Sequence, residues 1–340
     1  MNEEIGKVMT TISPMTKRQR LEATFAGAPV DRPAVALWRH WPVDDRYGAE
    51  LARAHLEFQG LFDFDFIKVT PSSDFMVAGY GAESHWVGNE EGTREWGPRI
   101  IQSAEDWLKL KPLEPNQGLF GEVIEANKRI GDALGEDTPF IQTIFNPLSQ
   151  AKNLAGPRLL ADMRQYPDAV KAGLAVLTES TLRFIEALRR STRAVGIFLA
   201  VQHASYDLLT EAEYRDFCRP LDLQLLAATE GMWFNLLHLH GVNVMFDLVV
   251  KYPVQVINWH DVETPPSLGE AMRRTDKALC GGLRQWETML RGTPETVQAE
   301  AKAALEATGG WRFILGTGCV TPITAPTCNI WAARRAVDRG

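Results

Sequence analysis

The chain has 340 residues, 45% of them hydrophobic and 23% charged, which is enough apolar material for either one large α/β barrel or two ordinary domains. A formal net charge of -7 leaves no basic footprint for nucleic acid or an anionic membrane surface, so a small-molecule partner is expected. The opening Met1-Asn2-Glu3-Glu4 is acidic and no long apolar run follows it, which argues against a signal peptide and a membrane helix and makes the cytoplasm the expected location.

The first two dozen residues read as an N-terminal extension (1–25) that either docks as a helix or frays. After it, short apolar runs rich in β-formers alternate with longer helical patterns. The predicted strands are Ala34–Trp38, Asp65–Val69, Phe140–Phe145, Val195–Val201, Trp233–His238, Val254–Trp259, Ala278–Gly282 and Arg312–Leu315. Between them, Leu51–Gln59, Pro167–Arg189, Glu211–Thr229 and Thr293–Ala307 carry apolar residues at helical spacing. Alternation of this kind implies parallel pairing with right-handed crossovers. Eight repeats favour a single closed (β/α)8 TIM barrel spanning 1–340 over an open doubly wound sheet. The stretch Phe62-Asp63-Phe64-Asp65-Phe66 reads as strand alternation with solvated carboxylates. An insertion after the second strand (79–116), too long for a crossover, is expected either to wall the catalytic rim or to pack as a small hairpin on the barrel side. No Gly-rich dinucleotide fingerprint follows the first strand, and no phosphate-binding Gly-Lys loop occurs anywhere.

In a parallel barrel, chemistry sits at the carboxyl ends of the strands. That rule gathers Arg39 and His40 from the first strand, Asp74 from the second, Asn146 from the third and His203 from the fourth. The fifth supplies His238 and His240, the sixth His260, the seventh Arg284 and the eighth Cys319. His238 and His240 are two apart on one strand, so both imidazoles face the same side, and with the thiol of Cys319 they form a donor set suited to zinc with one position left open. Cys218, in a helical stretch, and Cys280, in an apolar strand, read as buried thiols, and a disulfide framework is not expected. Trp38 and Trp41 either wall a flat substrate or plug the layer between helices and strands.

Taken in order, Asp31-Arg32-Pro33 with Val35, Leu37 and Arg39, then Ser73-Asp74-Phe75, Asn146-Pro147-Leu148-Ser149 and Ala204-Ser205-Tyr206-Asp207, make a pattern. His238-x-His240-Gly241, Gly281-Gly282-Leu283 and Gly316-x-Gly318-Cys319 with Pro322, Thr324 and Pro326 complete it. The chain resembles the uroporphyrinogen decarboxylase superfamily over nearly its whole length, and within it the zinc-dependent branch that moves methyl groups from corrinoid proteins to thiols. The resemblance implies a dimer and a methyl donor that is a corrinoid on a partner protein. It also implies zinc held by His-x-Cys on the fifth strand and a second Cys after the eighth; here His240 takes the middle place. An imidazole for a thiolate removes about one negative charge, making the metal a stronger Lewis acid and a weaker activator of a thiolate. The site so implied has Asp74 and Arg39 orienting substrate alongside Trp38, Asn146 and Arg284, with His203 or His260 moving a proton or supporting a ligand. The alternative is metal-free decarboxylation of a small aromatic or pyrrolic acid, with Asp74 facing the ring. Porphyrinogen itself is not expected, because Val43 and Cys319 replace the second arginine and the histidine that the decarboxylases carry.

Overall fold

Strand and helix alternate throughout the computed structural model, which describes residues 13–338. The strands are β1 (Ala34–Val35), β2 (Ile67–Val69), β3 (Ser84–Trp86), β4 (Arg94–Trp96), β5 (Phe140–Phe145), β6 (Ile197–Val201), β7 (Leu236–Leu239), β8 (Val256–Trp259), β9 (Ala278–Leu283) and β10 (Phe313–Thr317). Eight of them form one parallel curled sheet in the order β1-β10-β9-β8-β7-β6-β5-β2, with a helix between successive members, while β3 and β4 pair as a separate antiparallel hairpin. This is a TIM-barrel-like architecture. Its two end strands approach each other where the Asp65 N–H donates to Val35 O at 2.9 Å.

Every residue of the sheet strands except Phe145 is buried, as expected when helices cover one face and packed side chains fill the other. Phe234, Phe66, Trp38 and Phe198 run through the interior with ring centroids 4.8 to 6.3 Å apart, and the last stacks on His238 at 5.2 Å. This aromatic column is the floor on which the polar end of the barrel is built.

Two expectations need correction. Phe62–Phe66 is not a strand: the helix Gly48–Phe62 ends at Asp63 in a left-handed conformation (φ 53°), and Asp65 is fully buried rather than solvated. Its carboxylate receives Arg20 at 2.7 Å, Arg32 at 2.8 Å and the Val35 N–H at 2.8 Å, so it ties the helix Lys17–Ala26 to the seam between β1 and β2. The predicted helix Glu211–Thr229 is two helices, Glu211–Phe217 and Arg219–Ala227, because Pro220 has no N–H to continue the ladder. Cys218 therefore lies at the break, buried as expected. Of the N-terminal extension, residues 1–12 lie outside the described residues, and the remainder leads into the docked helix Lys17–Ala26.

Within 79–116 the strands β3 and β4 form a small antiparallel hairpin. The hairpin folds toward the carboxyl ends of the sheet, and at the tip Gly92 takes φ +84°, where a Cβ would come within 2.8 Å of both His40 and Ile323. The tip is fastened by the Ile323 N–H to Glu90 O at 2.8 Å and by the buried Arg94–Asp45 ion pair at 2.5 Å.

Removing one partner from a buried charge cluster leaves the others uncompensated. Asp65→Ala, which takes the buried carboxylate from Arg32 and leaves Arg20 with Asp31 alone, is expected to destabilise the fold by about 3–5 kcal/mol, read as a lower urea midpoint at unchanged slope. Burial pushes Asp31 up, but the Arg20 hydrogen bond and the N–H groups of Met15 and Arg32 outweigh it and hold the carboxyl at about 2. Its contribution is therefore complete above the ordinary carboxylate pKa and is lost as the pH falls toward 2, which an acid-unfolding curve of Asp31→Asn against wild type measures.

Candidate metal centre

His238 and Asn258 are register partners on β7 and β8, both pointing into the sheet interior. The amide of Asn258 is fixed by its donors, since Nδ2 reaches the carbonyls of Cys280 at 2.9 Å and Thr317 at 3.1 Å. Oδ1 is left as the acceptor, 2.6 Å from His238 Nδ1, so the histidine proton resides on Nδ1 and the lone pair of Nε2 faces the barrel mouth. Thr317 in turn donates its hydroxyl to Cys319 O. One asparagine thus orients the imidazole and, through β10, the loop that carries the thiol.

His240 continues β7 by a single bond, its N–H donating to Val201 O at 3.0 Å, and its Nδ1 lies 3.8 Å from Cys319 Sγ. Gly318 permits this loop to settle on the end of β8, where a Cβ would meet His260 Cα at 2.7 Å. The ligating atoms of His238, His240, His260 and Cys319 all lie within 4.8 Å of one another. Metal bonds of about 2.0–2.1 Å to nitrogen and 2.3 Å to sulfur in a tetrahedron imply separations of roughly 3.5 Å, so modest contraction would close the group on one ion.

Protonation states agree with that use. Burial drives His238 well below the ordinary imidazole range and His240 down to about 4, reinforced by the neighbouring histidines, so both rings are neutral donors at pH 7. Burial also pushes the Cys319 thiol up to about 12, with Glu91 adding to the effect, which means a cation is needed to make the thiolate.

Above the cluster opens a cavity of about 260 Å³ lined by His238, His240, Cys319, Trp38 and Phe198 from the sheet and by Glu91, Arg94 and Trp96 from the hairpin. Lys68 and Lys152 also face it. Among the described residues neither ammonium has an ion-pair partner; Lys68 lies 4.6 Å over the Phe198 ring, and burial lowers it to about 7, against the opposing pull of Cys319. Sequence reasoning passed over Lys68, although a lysine in the apolar strand Ile67-Lys68-Val69 was the available signal.

Of the residues singled out from sequence, Trp38, His40, His238, His240 and Cys319 line this cavity, and His260 joins the donor cluster. His203 is buried alongside, with Nδ1 unpartnered and its pKa lowered to about 4 by burial and by Lys152 and His240. Four others are engaged elsewhere. Arg39 lies over Trp41 and Phe58 and bonds Ile323 O, while Asp74 is enclosed by Arg46, Ser72 and Ser84. Asn146 caps the helix Pro147–Ala155 and donates to Asp222, and Arg284 pairs with Glu300. Strand-end position alone overcounts candidates, because rim residues also cap helices and brace loops.

A family model described as uroporphyrinogen decarboxylase (URO-D) matches residues 52–340. The chain is 24% identical to the methylcobamide:CoM methyltransferase MtbA of Methanosarcina mazei over 93% of its own length and 95% of the relative's. It is 23% identical to the methylcobamide:CoM methyltransferase MtaA of Methanosarcina barkeri over 96% and 99%. In fold it is similar to a methyltransferase from Methanosarcina mazei, with a TM-score of 0.80, 20% identity and coverage of 95% and 98% of the two chains. A B12-independent methionine synthase from a Shewanella species shares the fold at a TM-score of 0.55 and 12% identity, covering 89% and 95%.

Because Asn258 sets the tautomer of His238, Asn258→Ala is expected to lower the affinity for added zinc ion ~10–100-fold with the protein still folded, as measured by competition against a chromophoric chelator.

Proposed function

The chain belongs to the uroporphyrinogen decarboxylase (URO-D) family, and on that premise we propose that it moves a methyl group from a corrinoid or small methylated donor to a thiol or other acceptor activated on zinc. The observation that carries this reading is the convergence of His238, His240 and Cys319 beneath a cavity. The relatives named for methylcobamide and CoM support the same donor and acceptor classes. On this reading residues 1–340 are one barrel, with 1–25 as an extension and 79–116 as a rim insertion whose hairpin walls the site. A corrinoid carried by a partner protein would present its methyl group at the mouth.

His238, His240 and Cys319 would hold the zinc, which fits two neutral imidazoles and a thiol that only a cation would ionise. When bound, zinc lowers the pKa of a thiol or hydroxyl placed on it, so that the nucleophilic anion exists at neutral pH. The residues of the chain do the rest. Trp38 and Phe198 exclude water from the floor, and Asn258 fixes the imidazole. Lys68 and Lys152 give the wall two ammonium groups without carboxylate partners among the described residues, which suits an acceptor with an acidic tail. His203, with a buried nitrogen that has no hydrogen-bond partner, would carry a proton or support a ligand beside His240. Metal-free decarboxylation draws on Asp74, and the enclosure of that carboxylate by Arg46, Ser72 and Ser84 weighs against it.

The purified full-length protein is expected to carry about one zinc per chain and to methylate a small thiol from methylcobalamin. His240→Ala and Cys319→Ala should each reduce zinc content and cut the rate by at least ~100-fold, measured by elemental analysis beside thiol consumption. Unchanged rates in both variants, or metal-independent release of carbon dioxide from an aromatic acid, would select against methyl transfer. Lys68→Met is expected to raise KM for an acidic thiol ~10-fold or more while leaving kcat near wild type, checked by comparison with an uncharged thiol.

A further inference from the structure

Resting on the metal reading above, the geometry points to His260 as a fourth ligand that closes the centre at rest and yields its place to the incoming thiol. Its ligating atom belongs to the same group as those of His238, His240 and Cys319, all within 4.8 Å. The ring centroids of His240 and His260 are 5.4 Å apart, against 5.8 Å for His238 and His240 and 6.1 Å for His238 and His260. By distance, His260 is as much a member of the set as His238 is.

Its ring is also aimed. His260 Nδ1 lies 3.1 Å from Glu263 Oε2, and the carboxylate can only accept there, so the proton is on Nδ1 and the lone pair is on Nε2. That Nε2 is buried and has no hydrogen-bond partner. A buried imidazole nitrogen with nothing to bond, among two other imidazoles and a thiol, is the arrangement a cation completes. The following residue secures the loop, since Asp261 accepts the Gly282 N–H at 3.1 Å.

What separates His260 from His238 is the support behind it. His238 is braced by Asn258, a fully buried residue gripping two strand carbonyls. His260 stands past the end of β8 with its side chain 12% exposed, and its brace, Glu263, is 33% exposed on the same loop. Of the imidazoles in the cluster, His260 is therefore the arm built to leave. In the exchange the bond from Nε2 to the ion would break, the thiol sulfur would take the vacated position, and the S–H proton would go to solvent at the open mouth of the cavity. No oxidant or reductant is involved. The donor set would change from three nitrogens and one sulfur to two of each, so a second sulfur would be present only while acceptor is bound.

The test loads metal-free full-length protein with Co²⁺ and follows visible absorption and affinity in wild type, His260→Ala and Glu263→Gln, with mercaptoethanol as the added thiol. Wild type is expected to bind one equivalent in a four-coordinate spectrum with one sulfur charge-transfer band, and thiol should add a second. His260→Ala should still bind one equivalent, at least ~10-fold more weakly and with an altered spectrum. It should also take up thiol ~10-fold more tightly, because no internal ligand has to be displaced. Glu263→Gln should shift thiol affinity in the same direction by less. A His260→Ala protein with the spectrum, cobalt affinity and thiol affinity of wild type would overturn the role of His260 and leave the metal reading standing; no uptake of cobalt by wild type would remove the metal reading itself. Should His260→Ala fail to fold, X-ray absorption of the wild-type zinc protein decides. Three nitrogens and one sulfur, becoming two and two with thiol, support the inference, and two nitrogens, one sulfur and one oxygen at rest overturn it.

Discussion

The amide of Asn258 is the constraint on which the rest of the polar end depends. It lies at the level where β7, β8, β9 and β10 meet, and each of its hydrogen bonds reaches a different one of the other three strands. Two donations to backbone carbonyls leave its oxygen only one role, and that role fixes which nitrogen of His238 is free. The same amide steadies Thr317, whose hydroxyl holds the backbone of Cys319. A side chain that never faces the cavity therefore determines how two residues 81 positions apart in sequence, His238 and Cys319, confront one another.

Burying this much polarity costs free energy that apolar packing would not. Burial holds the imidazoles of His238, His240 and His203 neutral and keeps the thiol of Cys319 protonated, while Lys68 is pushed toward neutrality in the same cavity. The core around them shows no such compromise: the column of Phe234, Phe66, Trp38 and Phe198 is ordinary aromatic packing. Local departures of this kind, confined to one end of an otherwise consistent fold, mark the place where function rather than stability has set the residues. An ion binding the imidazoles and thiol, and an acidic group meeting the lysines, would each satisfy a group that the apolar frame leaves wanting.

Much of this was legible in the sequence, and the exceptions have physical causes. Strand and helix alternation is a local property, and it located the eight sheet strands to within a few residues; the pairing of His238 with His240 follows from the two-residue period of a strand. Cys319 could be joined to them because strand ends of a parallel barrel share one face. What could not be read locally was long-range partnership. Asp65 looks solvated in a run of alternating charges until Arg20 and Arg32 arrive from elsewhere in the chain. Asp74, Arg39, Asn146 and Arg284 share the strand-end position of the true cavity residues but find partners in neighbouring loops and helices. The hairpin's part in the cavity depends on how its tip packs on His40 and Ile323, which no spacing announces.

At the strand end His240 brings an imidazole rather than a second thiol to the cluster, with Cys319 Sγ and His240 Nδ1 3.8 Å apart, so among the described residues the group has a single thiol. Anomalous diffraction from crystals of the zinc-loaded protein, recorded on both sides of the zinc absorption edge, tests the proposed centre. A single strong peak bounded by His238, His240 and Cys319 at the floor of the cavity is expected. A map with no peak there, or with the ion held by other residues, would rule that centre out.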